Sequence, residues 1–180
     1  MTIDAGSGDG RAVLAAAGRE PETLVLGLDA NAAGMAESSR RAAKPLRKGG
    51  LPNATFVLAA VEAPPLELAG IADLVTVRFP WGSLLRGVVG LDDAVSAGLA
   101  SLLAANGRIE LLVAPLERDG LDGVPTSAEG LIAGAATAFR SHGFEIEATA
   151  QPTQAEIRAT GSTWARRLDR LAMLIRLVRR

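Results

Sequence analysis

Apolar positions along this chain fall into short runs separated by stretches of helical period. Thr23 to Asp29, Thr55 to Leu58, Leu74 to Phe79, Arg108 to Val113 and Phe144 to Ala148 are short and rich in β-branched or apolar residues, which predicts strands. Between them, Arg11 to Ala17 opens a helix behind a glycine-rich turn, and Ala30 to Arg47 starts behind Asp29 and is disturbed by Pro45. Asp92 to Ala105 places Ala94, Val95, Leu99, Leu102 and Leu103 on one helical side, and Ser127 to Arg140 follows a Pro-Thr-Ser entry signal. This alternation predicts an α/β fold, a largely parallel sheet covered by helices on both faces. In the tail, Leu168, Leu171, Ala172, Ile175 and Val178 fit helical spacing, although Leu171 to Val178 also reads as a buried final strand; periodicity favours the helix. No internal repeat or inter-domain linker interrupts the pattern, so residues 1–180 read as a single domain.

The turn before the first helix runs Asp4-Ala5-Gly6-Ser7-Gly8-Asp9-Gly10-Arg11, and Asp29 stands 19 residues after Gly10 at the end of the run Val25, Leu26, Gly27, Leu28. Glycines without Cβ atoms let a chain leaving a strand turn sharply and bring backbone N–H groups against a ligand. An acid at the end of the next strand can accept hydrogen bonds from both ribose hydroxyls. Together they predict a nucleoside-cofactor site beyond the carboxyl ends of the strands, where Gly6, Asp29, Ala60 and Phe79 converge. The Gly-x-Gly-x-Gly spacing departs from the dinucleotide fingerprint, and Asp4 and Asp9 are a poor welcome for pyrophosphate but suit the sulfonium and ammonium groups of S-adenosylmethionine. A methyltransferase is favoured over a dehydrogenase.

Composition narrows the picture further. With no cysteine there is neither a disulfide framework nor a thiolate metal site, and with one histidine and scattered acids no metal is implied. His142, just before Gly143, reads as a helix-end residue rather than a catalyst. No apolar run approaches the roughly 20 residues that span a bilayer, and the start Met1-Thr2-Ile3-Asp4 is no signal peptide. A soluble, cytoplasmic protein is expected. The net charge of −1 hides a segregation: Arg40, Arg41, Lys44, Arg47 and Lys48 form one basic block, and residues 158–180 hold seven arginines against Asp169 alone. Such blocks are either solvated faces or phosphate-binding footprints, and their segregation favours the second.

The tryptophans, Trp81 after Phe79-Pro80 and Trp164 after Gly161-Ser162-Thr163, both lie outside apolar runs. Each could pack as an amphipathic lid, but two at loop positions, one at the cofactor end of the sheet and one in the arginine-rich tail, point to an aromatic clamp. A planar base would stack between them while arginines hold flanking phosphates.

The segments DAGSGDGR, LGLDAN, LAAVEAPP, VRFPWGSLLRG and GSTWARRL, in this order and at these separations, resemble the aminoglycoside-resistance 16S ribosomal RNA methyltransferases of the kanamycin-apramycin type, which modify N1 of adenine 1408. The resemblance covers essentially the whole chain; FPWGSLL and STWARRL are its specific parts, whereas the glycine turn and strand-end acid are common to methyltransferases of the fold. It implies a Rossmann-like class I domain with a mostly parallel seven-stranded sheet, and in the tail a short helix near Thr163 to Asp169 followed by a strand. It implies a cofactor pocket formed by Asp4, Gly6, Ser7 and Gly8 at the methionine end, Asp29 at the ribose, Ala60, Val61 and Glu62 around the adenine, and Ser83. Trp81 and Trp164, with Ser162, would hold the flipped target base without a general base, and Arg40, Arg41, Lys44, Arg47, Lys48, Arg166 and Arg167 would meet RNA of the small (30S) ribosomal subunit. A monomer is expected. Only Met1, Thr2 and Ile3 precede Asp4, so the first strand is expected to be truncated relative to a longer protein. Two other readings stay open from the residues themselves: a methyltransferase acting on another RNA or a small molecule, and a non-catalytic nucleoside- or RNA-binding module.

Overall fold

A computed structural model describes residues 1–114, 121–163 and 172–180. Seven strands form one sheet: β1 (Thr2–Ala5), β2 (Val25–Asp29), β3 (Ala54–Leu58), β4 (Ala72–Arg78), β5 (Leu103–Val113), β6 (Phe144–Ala150) and β7 (Met173–Arg179). Their order is β3-β2-β1-β4-β5-β7-β6. The first five are parallel; β7 runs antiparallel to both β5 and β6. The helices are α1 (Arg11–Arg19), α2 (Ala32–Ala42), α3 (Gly82–Val88), α4 (Asp93–Ser101), α5 (Ala128–Arg140) and α6 (Gln154–Ala159).

Side chains alternate across a strand, so adjacent residues report on opposite faces of the sheet. Ile109, Leu111 and Val113 of β5 share a core with Leu85 and Val88 of α3, Leu99 of α4, and Leu131 and Phe139 of α5. Leu112, between them, packs instead with Ile157 of α6 and Ala172. Val25 of β2 joins Val13, Ala16 and Ala17 of α1. The sheet is thus sandwiched, with α3, α4 and α5 on one face and α1 and α6 on the other. β1 is buried along its whole length between β2 and β4, so its four residues seat Asp4 in the centre of the sheet.

Several boundaries differ from the sequence reading. The tail is a strand at Met173–Arg179, not a helix: Met173, Ile175 and Leu177 are buried while Arg176 is exposed, a period of two that the mixed spacing of apolar residues concealed. The predicted short helix at Thr163 to Asp169 falls largely outside the described residues. α4 stops at Ser101, and Leu103 to Ala105, counted as helix above, already belong to β5; Ala72 pairs with Leu103 before a bulge resets the register to Leu74 with Arg108. The segment Ala30 to Arg47 is not one helix: α2 begins behind the Asn31 cap and ends at Ala42, and a short 3₁₀ turn, Leu46–Lys48, follows Pro45. α3 and α6 carry no strong periodic signal and were not anticipated. Among the described residues no helix is long and apolar enough to cross a membrane.

Candidate active site

The glycine turn is held by its neighbours' carbonyls. Gly6 N and Ser7 N donate to Leu28 O at 2.8 and 3.1 Å, and Gly10 N donates to Ser7 O at 2.9 Å. Gly8 N donates to Asp29 Oδ2 at 2.8 Å, and Asn31 N donates to Asp29 Oδ1 at 2.8 Å. Asp29 therefore pins the turn to the start of α2 as well as facing the cleft. Gly8, at φ 57°, has open space where a Cβ would stand, leaving the loop's backbone accessible to a ligand. The Ser7 hydroxyl is buried without a hydrogen-bond partner among the described residues and sits over Gly27.

Beyond the carboxyl ends of β1, β2 and β4 lies a cleft of about 450 Å³. Asp4, Gly6, Ser7, Gly8, Asp29, Ala60, Val61, Glu62 and Ser83 all line it, with Phe79, Trp81 and Ser162. Trp164, Arg166 and Arg167 lie outside the described residues. Val61 and Glu62 are brought to the cleft by a close contact with α4, where Gly98 stands against their backbone: a Cβ there would lie 1.9 Å from Val61 O. Gly98→Ala is therefore expected to destabilise the fold by about 1 to 3 kcal/mol and to weaken cofactor binding by displacing this wall. Thermal melting together with calorimetric titration checks it; unchanged behaviour in both would show the contact is slack.

At the end of β4 the chain turns through Phe79, whose φ is 51°, directly before Pro80. A bulky residue in the left-handed region costs about 1 to 3 kcal/mol. Its N–H donates to Leu112 O at 2.7 Å, and its ring packs on the cluster of Leu112, Ile157 and Ala172. The turn carries Trp81 to the cleft's rim with 67% of its surface exposed, at the N-terminal boundary of α3. An exposed tryptophan at the mouth of a cleft offers a stacking face, not a core contact.

The chain as a whole is similar to known proteins. The family model for 16S rRNA (adenine(1408)-N(1))-methyltransferase (NpmA) matches residues 1–173. The Escherichia coli 16S rRNA (adenine(1408)-N(1))-methyltransferase is 30% identical over 174 residues, covering 92% of this chain and 79% of that protein. The Streptoalloteichus hindustanus protein of the same name is 33% identical over 177 residues, covering 94% and 80%. The chain belongs to this family. A crystal structure of a point variant of the 16S rRNA (adenine(1408)-N(1))-methyltransferase from Catenulisporales acidiphilia, with cosubstrate SAM, superposes with a TM-score of 0.87 at 31% identity, covering 99% of this chain and 84% of that one.

In this member of the family, two residues beside Asp4 escaped the sequence reading. Arg78 of β4 donates through Nη1 to Asp4 Oδ1 and, at 2.8 Å, to Thr76 Oγ1. Thr76 Oγ1 also lies 2.8 Å from Asp4 Oδ1. The signal was available: Thr76 and Arg78 are polar at alternate positions of an apolar strand, which puts both on one face. Asp9 accepts from Arg11 N at 3.1 Å and from the Thr163 hydroxyl, tying the glycine turn to the segment just before Trp164. The two acids read as open to a cation are thus both partnered.

The basic residues Arg40, Arg41, Lys44, Arg47 and Lys48 are all exposed, on the last turn of α2 and the segment behind it, and Arg40 pairs with Glu37 at 3.0 Å. α2 starts at the cleft, so this block lies one helix length from Asp29. His142 is elsewhere: its Nε2 lies 3.1 Å from Asp93 Oδ1 and 3.2 Å from Ser96 Oγ, between the end of α5 and the start of α4. At the other side of the cleft, α6 leads into Ser162 and Thr163 and is capped reciprocally by Thr153 and Glu156. Hydrogen bonds from the Thr153 backbone and hydroxyl hold the Glu156 carboxyl below its ordinary pKa. A lowered carboxyl contributes stability above its unfolded pKa that is lost as pH falls through the folded value. Acidification below the usual carboxylate range is expected to fray α6, seen as earlier hydrogen exchange there; Glu156→Gln should remove that pH dependence, and its persistence would contradict the assignment.

Proposed function

We propose that this chain transfers a methyl group from S-adenosylmethionine to N1 of adenine 1408 of 16S rRNA in the small ribosomal subunit and so confers aminoglycoside resistance. The observation that carries this reading is the single cleft in which the glycine turn, Asp29 and the Ala60–Glu62 wall meet Trp81, in a chain of this family. The residues present suit the cofactor. Asp29 faces the ribose, the open backbone at Gly8 lets the nucleoside approach closely, and Ala60, Val61 and Glu62 border the adenine. The hydrogen bonds that Asp4 accepts from Thr76 and Arg78 both reach Oδ1, which leaves Oδ2 without a partner among the described residues and available to an ammonium group. When bound, the cofactor supplies a sulfonium methyl that the lone pair on N1 of neutral adenine can attack without a general base.

The protein's share of the catalysis is then orientation and exclusion of water. Trp81 stacks on the flipped base, with Trp164 as the second residue that holds it and Ser162 beside them. Holding reactants in line contributes several kcal/mol, on the order of 7 or more in favourable models, and an aromatic face also accommodates the positive charge left on the methylated base. Arg40, Arg41, Lys44, Arg47, Lys48, Arg166 and Arg167 hold the RNA backbone. The chain acts as a single domain and a monomer in the cytoplasm, where its ribosomal substrate is found.

Two measurements address this reading. Labelled methyl transfer should be rapid to purified small subunits and negligible to tRNA or free adenosine; transfer to tRNA alone would favour a different RNA substrate, and absence of cofactor binding a non-catalytic module. Affinity for small subunits should fall steeply with salt, and neutralising Arg41 and Lys44 together should flatten the log–log slope by about 1 to 2 units as released counterions are lost. A slope unaffected by the double substitution would move the RNA surface away from α2.

A further inference from the structure

Asp4 and Arg78 form a pair of charges that are each half satisfied. Asp4 is 2% exposed and Arg78 keeps 17% of its side chain exposed, so both have left most of their hydration. Asp4 spends one oxygen, Oδ1, on Arg78 and Thr76, and Arg78 spends one nitrogen, Nη1, on Asp4 and Thr76. The remaining donors of the guanidinium, Nε and Nη2, have no acceptor among the described residues, although a guanidinium carries five N–H groups in a fixed planar fork. Both residues line the same cleft, beside the glycine turn and Ser83. The unpaired edges of both groups are thus open to the cleft, where a ligand of opposite charge can complete them.

We propose that Arg78 is a specificity-determining residue that binds the α-carboxylate of the cofactor's methionine end while Asp4 takes the adjacent ammonium, so that the pair reads an α-amino acid zwitterion. The inference rests on the reading of this cleft as the S-adenosylmethionine site. Carboxylate recognition through the fork geometry of arginine is strong and directional. An α-amino acid presents both charges on one carbon, matching one acid and one guanidinium already in contact. Arg78 also borders a second cleft of about 420 Å³, but Glu110 and Arg176 there already pair with each other at 2.9 Å, and that acid disfavours a second anion. The same pairing explains how an arginine is tolerated near a cationic cofactor: Asp4 offsets its charge when the cleft is empty, and the cofactor's carboxylate offsets it when filled.

The test compares three adenine nucleosides by calorimetry: S-adenosylhomocysteine, its analogue lacking the carboxylate, and 5′-methylthioadenosine, which lacks the amino acid altogether. The native protein should prefer S-adenosylhomocysteine over the decarboxylated analogue by about tenfold or more, as expected for a charge-assisted bond. Arg78→Gln, which keeps a donor for Asp4 but no charge, should bring the two affinities to within a few-fold of each other, Arg78→Lys should retain part of the preference, and methylthioadenosine should bind all three proteins alike, which verifies the fold. An undiminished preference in Arg78→Gln, or none in the native protein, would overturn the assignment. Failure of the native protein to bind any of the three nucleosides would instead overturn the cofactor reading beneath it.

Discussion

Replacing Trp81 with alanine is expected to lower methylation of small ribosomal subunits roughly 5- to 150-fold, the equivalent of about 1 to 3 kcal/mol for one base stacked on an aromatic ring. The fold should be indifferent to the change, because the side chain is 67% exposed and belongs to none of the core clusters. Cofactor affinity should also be nearly unchanged, since the glycine turn and Asp29 are built from β1 and β2, not from the β4 turn. The loss should therefore fall on the chemical step with bound RNA. Trp81→Phe, which retains a stacking face, should recover part of the rate. Steady-state methylation with calorimetry on each variant separates these effects. A normal rate in Trp81→Ala would mean that the side chain is a lid over the cleft and that no base stacks there.

The second large effect is expected at Asp29. Its two carboxylate oxygens accept from Gly8 N and Asn31 N, so Asp29→Ala removes an acceptor from the glycine turn and another from the start of α2, besides the proposed ribose contact. Cofactor affinity should fall by roughly 1.5 to 3 kcal/mol, the range for hydrogen bonds to a charged group, or about 10- to 150-fold. Asp29→Asn keeps one acceptor oxygen and should lose less. Because Asn31 caps α2 by accepting from Gly34 N, a modest drop in melting temperature should accompany the alanine variant. Unchanged affinity would remove Asp29 from the site.

The glycine turn, Asp29 and the exposed Trp81 were legible because each has a local signature: a run of glycines behind a strand, an acid at a strand end, an aromatic outside any apolar run. The parallel half of the sheet was legible for a related reason, since alternating helices and strands leave little choice of topology. What the chain did not reveal locally was pairing over long range. Arg78 looked like an ordinary strand-end residue until β1 and β4 were placed side by side, and the link from Thr163 to Asp9 spans 154 positions. Partners that lie far away in the chain thus occupy part of the Asp4 and Asp9 carboxylates, leaving less of each open to a cation than their place in the glycine turn suggests. In the tail, Leu171 to Val178 satisfied two periods at once, and the place of Met173–Arg179 between β5 and β6 decided for the strand. The chain spans about four-fifths of the length of the curated relatives it matches, and the short β1 is flanked by partners on both sides.

The most direct test of the central claim is primer extension on 16S rRNA from small subunits incubated with this protein and S-adenosylmethionine. A methyl group on N1 blocks Watson–Crick pairing, so reverse transcription is predicted to stop immediately before adenine 1408, in proportion to enzyme and dependent on the cofactor. Read-through at that position alongside measurable methyl incorporation elsewhere would contradict the account.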